Sequence, residues 1–568
     1  MSRTLVTSAL PYANGPVHFG HLVGAYLPAD VYTRTLRMLG EEVLFVCGAD
    51  EYGVAITLGA EAESMSFSEY AAKWRDTIKG TFDELGIEFD IWSGTSKSKF
   101  HTEFTQDFFR RLHSNGYLAK KESEQLYCPK DSRYLADRYV KGTCPKCGHE
   151  GARGDECPAC GSWLEALSLI NPLCGLCGTT PERRTTAHWY LDMPKLRDEF
   201  IGEWIAEHDW KPNVGAFIQN MLADAPQRAI TRDLDWGIEV PAEILGGETG
   251  KVIYVWFDAP IGYVSFTAEW AEEQGTPEAW KDWWQSPDTR LVHFIGKDNI
   301  PFHTMLFPAM LYGVKQEYVL PWQVPANEFY NLQGRKFSTS NNWSIPLAEF
   351  FERYDNEAAR FYLISSMPET ADSEWKWEEF QRCVNKSLAD TIGNLVTRVL
   401  RFIVKRCDGD LPTVSAEHAS EFDRILLQEC GAIGDPADHV REFHFRRASE
   451  QLIANAAVAN VFIDRVEPWS LIKSDPERGR AALSTAAQFI AWIARWMTPF
   501  MPGKAQEIWE MLGGTEKVAE MPWPGTPTIG DWRSLPEGRA LGEVRGLFDK
   551  LDDESIEAEV QALHKRAL

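Results

Sequence analysis

The sequence predicts a doubly wound α/β fold, interrupted by a cysteine-rich insertion and followed by a bundle of helices. The opening of the chain alternates an apolar strand, a glycine-containing loop, a helix and a second strand, which is typical of such sheets. Seven of the 11 cysteines lie between Cys128 and Cys177. From about residue 380, apolar residues recur every three or four positions, which indicates helices. A chain of 568 residues is long enough for several domains.

Bulk composition is that of an ordinary globular protein, with 44% hydrophobic and 25% charged residues. The N-terminal "MSRTLVTSALPY" is too short and polar for a signal peptide, and no stretch approaches the length of a membrane span. We therefore expect a cytoplasmic protein without membrane contact. The net charge of −25 argues against non-specific coating of nucleic acid, although it is compatible with a local basic face.

The first predicted elements place polar side chains at one edge of the sheet. "RTLVTSAL" reads as a buried strand and "PYANGP" as a loop. The helix "GHLVGAYLPADVYTRTLRMLG" follows and ends at Gly40, and "EEVLFVCGAD" is the second strand. Ligands of doubly wound sheets bind at the carboxyl ends of the strands, which is where His18, His21 and Asp50 fall.

The middle and the C-terminal part of the chain differ in pattern. The α/β pattern fades near residue 115, and strand-like runs return at 251–259 ("KVIYVWFDA") and 290–298 ("RLVHFIGKD"), where we expect the sheet to resume. A helical apolar stripe then predicts the first helix of a C-terminal bundle. Its members are Phe380, Val384, Leu388, Ile392, Leu395, Val399 and Phe402. The last residues predict one or two terminal helices.

Two C-x-x-C pairs, Cys144 with Cys147 and Cys157 with Cys160, have the spacing of a zinc knuckle. Each tight turn directs two thiolates at one ion, so the pairs together predict a closed tetrahedral Zn²⁺ site. A closed site has no open position for chemistry, so its role would be structural. The insertion looks too short and polar for a core, and we expect zinc to supply its folding energy.

A second, looser set surrounds the first and consists of Cys128, Asp131, Cys174 and Cys177. Asp131 stands where a fourth cysteine would complete the pair, and a carboxylate oxygen is an acceptable zinc ligand. Two interpretations stay open: a second zinc ion, or a site that has lost a ligand and is empty. Cysteines of a cytoplasmic chain are in either case expected to be free or metal-bound.

Two histidines separated by Phe19 and Gly20, in "HFGH", would suit a metal, a proton or a phosphate. "HFGH" resembles the HIGH signature of class I aminoacyl-tRNA synthetases, and "GRKFSTSNN" at 334–342 resembles their KMSKS loop. "LPYANGPVHFGHL", "YVWFDAPIGY", "HFIGKDNIPFHTMLFPAML" and "EPW" extend the likeness. Residues 1 to about 510 thus resemble the methionyl-tRNA synthetases, and among the three options the resemblance favours phosphate.

The resemblance implies a ligase that activates L-methionine with ATP and Mg²⁺ to methionyl-adenylate and transfers it to tRNA(Met), for translation initiation and elongation. It also implies a Rossmann-like catalytic domain of the HUP type. The family's common C-terminal dimerisation module is not recognisable in the tail, so we expect a monomer. The implied catalytic residues are His18, His21 and Lys336.

The implied ATP site combines backbone, amide, hydroxyl and charged groups. Its residues are Asn14, His18, Gly20, His21, Lys297, Asp298, Lys336, Ser338 and Thr339. Gly20 would let the nucleotide approach the backbone, and the histidines would donate to phosphate oxygens. Thr339 departs from the family, which has a second lysine there. Either Lys336 with Arg335 or Lys297 supplies the positive charge, or activation is slower.

The implied methionine site combines one carboxylate with apolar and aromatic groups. Its residues are Leu10, Tyr12, Asp50, Trp256, Ala259, Pro260, Tyr263, Phe302 and His303. Asp50 would bind the ammonium group, and aromatic edges suit a polarizable sulfur. Trp256 and Phe302 could each equally be plain core. Tyr52 stands where the family usually has histidine, which leaves its role open.

For tRNA, the resemblance points to Asn394, Arg398 and Trp469 as anticodon-reading residues. An aromatic ring beside an amide and a guanidinium is how bases of single-stranded loops are read. The stretch from Lys386 to Arg406 is locally basic, in contrast to the acidic chain. Trp469 is open to a second interpretation, as an anchor at a helix end.

The expected domain boundaries follow from these features. The catalytic domain has halves at 1–115 and 236–325, the insertion spans 116–235 with its knuckles at 126–180, the loop and stem-contact region spans 326–380, the anticodon bundle 381–525 and the tail 526–568. Two other functions compete with this one. A cysteine enzyme of the same class is disfavoured by the closed cysteine pairs, and a zinc-ribbon RNA-binding protein is disfavoured by the two signatures.

Overall fold

A parallel sheet forms the centre of the computed structural model, which describes residues 3–154, 157–160, 162, 164–222, 227–338 and 342–566. Its strands are β1 (Arg3–Ser8), β2 (Glu42–Ala49), β3 (Ile91–Gly94), β4 (Thr289–Gly296) and β5 (Pro321–Gln323). They lie in the order β5-β4-β1-β2-β3, and a short strand at 326–327 also pairs with β4. The α/β class predicted from the sequence is confirmed.

β1 and β4 are neighbours, and the strand order reverses between them. Arg3 pairs with Glu42 of β2 on one side and with Thr289 of β4 on the other. The chain therefore leaves β1 towards one edge of the sheet and β4 towards the other, which opens a crevice at the carboxyl ends of these two strands. Residues 4–8 are all buried, as expected for a parallel strand with both faces covered.

Helices pack on both faces of the sheet. After β1 come a helical turn (Phe19–His21), a π-helical stretch (Leu22–Tyr26) and an α-helix (Leu27–Met38). Further helices of this part are Val54–Glu63, Phe67–Glu84, His101–Ser114, Gly262–Glu273, Trp280–Trp284, the π-helical Phe302–Leu306 and Phe307–Gly313. The helix Phe67–Glu84 begins with a capping box, because Ser66 accepts from the Glu69 amide and Glu69 accepts from the Ser66 amide.

The prediction that 251–259 rejoins the parallel sheet is wrong. The strand Lys251–Ile253 pairs antiparallel with Thr231–Asp233, away from β4. A helical turn, Val255–Asp258, follows because the Tyr254 carbonyl accepts from the amides of Phe257 (2.8 Å) and Asp258 (3.3 Å). Val255 and Phe257 are buried in this turn, so tertiary packing overrides the strand propensity of an aromatic run.

The insertion is built on antiparallel strands. Leu118–Cys128 pairs with Glu182–Leu191 and with Arg133–Tyr134, and a smaller sheet joins Val140–Thr143 to Ala152–Arg153 and Ile170–Cys174. Short helices follow at Met193–Leu196, Arg197–Ile201 (π), Gly202–Glu207, Pro212–Leu222 and Ala242–Leu245. Contrary to expectation, the insertion has a small core of its own, in which Leu126, Leu135, Tyr139, Val140 and Leu169 are buried beside the cysteines.

A second small sheet supports the KFSTS segment, where Tyr330–Leu332 pairs with Arg335–Lys336 and with Ser373–Trp375. The helices of this region are Leu347–Arg353, Asn356–Ser365 and Trp377–Arg382.

The C-terminal part is helical, as predicted. Its helices are Cys383–Gly393 (π), Asn394–Arg406, Ala416–Arg424, Ile425–Glu429 (π), Pro436–Arg441, Phe445–Val466, Pro468–Ser474, Pro476–Met497, Pro502–Met511 and Asp553–Arg566. Among the described residues of the tail, Asp553–Arg566 forms a single helix, within the predicted one or two, and 521–552 contains irregular segments, bends, turns and one isolated bridge. Among the described residues, no helix is both long and apolar enough to cross a bilayer.

A buried arginine joins the bundle to the sheet domain. Arg360 is fully buried, forms an ion pair with Asp30 and donates to the backbone oxygens of Leu85, Pro499 and Phe500, each at 2.9 Å. Asp30 also accepts from Arg34. The guanidinium thus links elements that lie hundreds of residues apart in sequence.

Candidate functional site

His18 and His21 lie at the start of the helix that follows β1. Their rings stack with centroids 3.8 Å apart and an interplanar angle of 20°. The His18 amide donates to His21 Nδ1 at 3.1 Å. Because Nδ1 accepts, a neutral His21 carries its proton on Nε2 and has an N–H donor left for a ligand.

Both histidines are held in the neutral form. Burial, and then the neighbouring His21, lower the pKa of His18 to about 2. Desolvation in the cleft also lowers the pKa of His21 to about 4, although part of its side chain is exposed. The pair therefore supplies neutral donors rather than positive charge. The buried His18 Nδ1 has no partner among the described residues.

The KFSTS segment reaches the two histidines. The Phe337 ring stacks on the His18 ring at 4.6 Å with an interplanar angle of 12°. A Cβ atom on Gly20 would lie 3.0 Å from the His18 ring and 3.3 Å from the Tyr330 carbonyl oxygen. Any larger residue here would be tightly packed, because His18 folds back over Gly20 beneath Phe337.

The loop residues of the expected ATP site differ in exposure. Lys336 is exposed, with Nζ 4.6 Å from the Phe329 ring centroid. The backbone of Ser338 pairs with that of Trp343 at 2.9 Å in both directions. Thr339 lies outside the described residues.

Lys297 and Asp298 follow β4 in one 3₁₀ turn, at the carboxyl end of the strand that neighbours β1. The Lys297 ammonium contacts Glu328 at 2.8 Å and Asp372 at 3.0 Å. Burial alone would lower the pKa of Lys297, but hydrogen bonds to both carboxylates raise it. Its charge is therefore already compensated in this conformation. Asp298 and Asn14 are exposed at the edge of the crevice.

Asp50 lies at the carboxyl end of β2 and is buried. Its amide donates to the Pro11 carbonyl and its carbonyl accepts from the Ala13 amide, both at 2.9 Å, which fixes Tyr12 against it. Burial, and then the nearby charge of Asp258, raise the pKa of Asp50 well above its ordinary value. A cationic group would relieve both effects.

The expected methionine pocket contains aromatic rings and one hydrogen-bonded polar pair, Tyr263 with His303. Trp256 and Phe302 meet edge to face, with centroids 4.7 Å apart. His303 Nδ1 contacts the Asn299 carbonyl at 3.0 Å, so Nδ1 carries the proton. The Tyr263 hydroxyl consequently donates to His303 Nε2, at 2.8 Å. Burial keeps His303 neutral by lowering its pKa to about 4.

The remaining residues of that set frame the pocket. Ala259 and Pro260 form a 3₁₀ turn directly after the turn that carries Trp256. Leu10 packs against the helix that begins at Gly262, since a Cβ atom there would lie 3.0 Å from Leu10 Cδ1.

A cavity of about 280 Å³ adjoins this pocket at the boundary with the insertion. Tyr12, Asn14 and Trp256 line one side, and Arg138 and Arg232 of the insertion line the other. These two arginines were not predicted from the sequence. Only the three-dimensional fold brings them to the loop after β1, and no local pattern indicates it.

The two cysteine sets each converge on a point. In both, the four ligand atoms lie within 4.8 Å of one another. Cys147 and Cys157 have sulfurs 3.6 Å apart, and Cys144 and Cys160 have sulfurs 3.9 Å apart. A tetrahedral Zn²⁺ with bonds of about 2.3 Å needs sulfurs about 3.8 Å apart, so the first set fits a metal ion.

The second set is similarly compact. Asp131 Oδ2 lies 3.2 Å from the sulfur of Cys128 and 3.1 Å from that of Cys174, and Cys128 lies 3.5 Å from Cys177. These groups can hold a metal ion as well.

The expected anticodon residues share one surface of the bundle. Asn394 is exposed at the start of its helix, one turn before Arg398. The Arg398 guanidinium lies 4.0 Å from the Trp469 ring centroid and pairs with Asp464 at 3.1 Å. Trp469 is partly buried in the short helix Pro468–Ser474.

Asp258, His101 and Phe337 are further residues of this region that were not predicted from the sequence. Asp258 stands within the quoted "YVWFDAPIGY", where an acid in an apolar run was the available signal. Phe337 stands within the quoted "GRKFSTSNN", but its contact is with His18, which is distant in sequence. His101 carried no comparable signal, because its contacts with Ser265 and Asp258 are also distant in sequence.

Comparison with known proteins gives matches over almost the whole chain. The family model described as tRNA synthetases class I (M) matches residues 4–400, and the anticodon binding domain of methionyl tRNA ligase matches residues 416–564. A methionine–tRNA ligase of Protochlamydia amoebophila is 42% identical over 569 residues, covering 100% of this chain and 80% of that protein. One of Rubrobacter xylanophilus is 43% identical over 586 residues, covering 100% and 98%.

Solved structures show the same fold. Mycobacterium tuberculosis methionyl-tRNA synthetase in complex with methionyl-adenylate superposes with a TM-score of 0.75 at 22% identity, covering 96% of this chain and 100% of that one. With the match to the class I family model over most of the chain, and relatives above 40% identity along its full length, the chain belongs to the methionine–tRNA ligases, the methionyl family of class I tRNA synthetases.

Proposed function

We propose that this enzyme activates L-methionine with ATP, forming methionyl-adenylate and pyrophosphate, and then transfers the methionyl group to tRNA(Met) with release of AMP. The observation that carries the proposal is the stacking of Phe337 on His18. It places both sequence signatures, more than 300 residues apart, at the same end of β1, beside buried Asp50.

In the activation step, the methionine carboxylate attacks the α-phosphorus of ATP and pyrophosphate leaves. Negative charge grows on the phosphate oxygens, so catalysis consists mainly of positioning and electrostatic stabilisation. His21 Nε2–H and the His18 ring would donate hydrogen bonds to these oxygens. Lys336 is an exposed cation of the loop and would add charge, and Mg²⁺ would accompany ATP as part of the substrate.

Lys297 would join this group only if its ion pairs with Glu328 and Asp372 loosen. Asn14, Gly20, Asp298 and Ser338, with Thr339, complete the proposed ATP site.

Selection of the amino acid would depend on a site that is apolar except for a few polar side chains, whose positions are fixed by hydrogen bonds. Asp50 would bind the ammonium group, and the edges of Trp256 and Phe302 would contact the thioether. The Tyr263 hydroxyl is committed to His303, which leaves its oxygen with only acceptor capacity. A thioether needs no donor, so the arrangement suits methionine. Leu10, Tyr12, Ala259 and Pro260 complete the proposed wall.

For the metal, we propose Zn²⁺ at Cys144, Cys147, Cys157 and Cys160, and a second Zn²⁺ at Cys128, Asp131, Cys174 and Cys177. The donor sets and the sulfur spacings support this choice. Zinc would hold the turns of the insertion, and no step of the reaction passes through it.

The domain boundaries given above are proposed as the working division of the chain, with the bundle at 381–525 reading the anticodon through Asn394, Arg398 and Trp469. We further propose that the enzyme works in the cytoplasm as a monomer, which gel filtration with light scattering would test.

ATP–pyrophosphate exchange with each amino acid in turn tests the main proposal. We expect exchange with L-methionine and little with cysteine or leucine. Exchange that favoured cysteine or leucine, or none with methionine, would contradict it.

A further inference from the structure

A second buried carboxyl group lies in the helical turn that carries Trp256. Asp258 is only 1% exposed. It is the last residue of the helical turn Val255–Asp258, which also contains Trp256, and Ala259 follows it. Its Oδ2 atom lies 3.2 Å from His101 Nε2. Its Oδ1 atom is buried and has no partner among the described residues.

The hydrogen bonds around His101 determine where the protons are. The Ser265 hydroxyl donates to the Gly262 carbonyl at 3.2 Å, so its oxygen accepts from His101 Nδ1, at 3.0 Å. A neutral His101 then has an acceptor at Nε2, and Asp258 must carry the proton on Oδ2 and donate it. Burial favours this neutral chain, because it lowers the pKa of His101 to about 3 and raises the pKa of Asp258.

In that arrangement Oδ1 is a carbonyl-type oxygen, an acceptor to which no group in the described part of the chain donates. The turn that carries Asp258 packs against Tyr12 and the segment that follows Asp50, because a Cβ atom on Gly53 would lie 2.7 Å from Tyr12 Oη and 3.3 Å from Val255 Cγ1. The raised pKa of Asp50, caused first by burial and then by Asp258, agrees with this position. A buried acceptor without a donor is costly in free energy and rare in folded proteins. A ligand that brings a donor to this oxygen would satisfy it.

We propose that Asp258 is a second ligand of the substrate's amino group: an ammonium bound by Asp50 would place another of its N–H groups on Asp258 Oδ1. An ammonium has three N–H donors, so it can serve both carboxyl groups at once. The inference rests on the proposed function, because it concerns the same amino-acid site. The alternative role, in which Asp258 only holds the turn that carries Trp256, is an outcome of the test.

The test compares three ligands on the full-length protein by calorimetry: L-methionine, L-methioninol and 4-(methylthio)butanoate. Methioninol retains the ammonium group without the carboxylate, and the butanoate lacks the ammonium group. We expect Asp258→Ala to weaken the two amine ligands by about tenfold to a hundredfold, the cost of one hydrogen bond to a charged group. Binding of the butanoate should be unchanged. Asp258→Asn keeps a carbonyl oxygen and a donor to His101, and it should restore most of the affinity.

The matched control is Asp233→Ala. Asp233 also contacts a buried histidine, His188, at 3.2 Å, but it lies in the insertion rather than in the turn that carries Trp256. It should leave the ratio of amine to butanoate affinity unchanged. Should Asp258→Ala not fold, as judged by circular dichroism, Asp258→Ser is measured in the same way.

Equal weakening of all three ligands would overturn the inference and assign Asp258 to the turn alone. Unchanged amine binding would overturn it as well. Failure of the wild-type protein to bind methionine at all would instead contradict the proposed function, so the two failures are distinguishable.

Discussion

The guanidinium of Arg398 covers the indole of Trp469 at 4.0 Å, and Asp464 holds it there at 3.1 Å. Two groups expected to read the same RNA loop therefore contact each other before any RNA is bound. A base that stacks on the covered face of Trp469 must first displace Arg398. The released guanidinium would then be free for the base edge or a phosphate.

Trp469→Ala should therefore separate tRNA charging from adenylate formation. Loss of a stacking surface costs about 1–3 kcal/mol per base, so kcat/KM for tRNA charging should fall roughly tenfold or more. ATP–pyrophosphate exchange, which needs no tRNA, should change little. Equal losses in both assays, with a lowered melting temperature, would instead identify Trp469 as a packing residue.

His21→Ala should slow adenylate formation about a hundredfold with little change in methionine affinity, as expected for one lost donor to developing phosphate charge. Single-turnover kinetics and equilibrium binding would measure the two quantities. Since the pKa of His21 is lowered to about 4, the wild-type rate should show no titration of this residue between about pH 5 and 8. His113→Ala, at the exposed end of another helix, is the control. An unchanged rate for His21→Ala would remove it from the mechanism.

Metal analysis of purified protein should find two equivalents of zinc. Asp131→Ala should retain one equivalent and Cys157→Ser should lose the one at the first set, because the two sets share no ligand. Inductively coupled plasma mass spectrometry measures the zinc equivalents bound by each variant directly. Complete absence of metal, with full activity after exhaustive chelation, would contradict both assignments.

Arg360→Met should destabilise the fold by about 3 kcal/mol, because it leaves buried Asp30 with Arg34 as its remaining ionic partner. Urea denaturation measures the change. Arg382→Met, which breaks an exposed pair with Glu379, is the control and should cost less than about 1 kcal/mol. An equal, small cost for both variants would show that the buried pair contributes nothing.

The same pair gives a pH dependence. Burial alone would raise the pKa of Asp30, but Arg34 and Arg360 more than offset this and lower it. A lowered pKa stabilises the fold above the unfolded-state value of about 3.9, and this contribution is lost as the pH falls below it. The acid loss of stability should therefore be smaller in Arg360→Met than in the wild type. An identical acid profile would contradict the assignment.

The sequence predicted the elements whose pattern is local. β1, the helix at 27–38 and β2 have continuous apolar or periodic patterns, and the structure places them close to the predicted bounds. The run at 251–259 was misassigned because β-prone aromatic residues are buried equally well in a helical turn. The positions of Phe337, His101 and Asp258 depend on contacts between residues far apart in sequence, and no single segment encodes those contacts.

The adjacency of β1 and β4 also bears on how this protein is made. Arg3 pairs with Thr289, so one edge of β1 stays unpaired until nearly 300 residues have been translated. At about 5–20 residues per second, that interval lasts on the order of 15–60 s. During this interval β1 is an apolar strand with unpaired backbone N–H and C=O groups, and it is exposed to incorrect pairing with neighbouring chains. We therefore expect nascent chains that are stalled before residue 289 to bind chaperones that recognise extended apolar segments, and chains stalled well beyond β4 to release them.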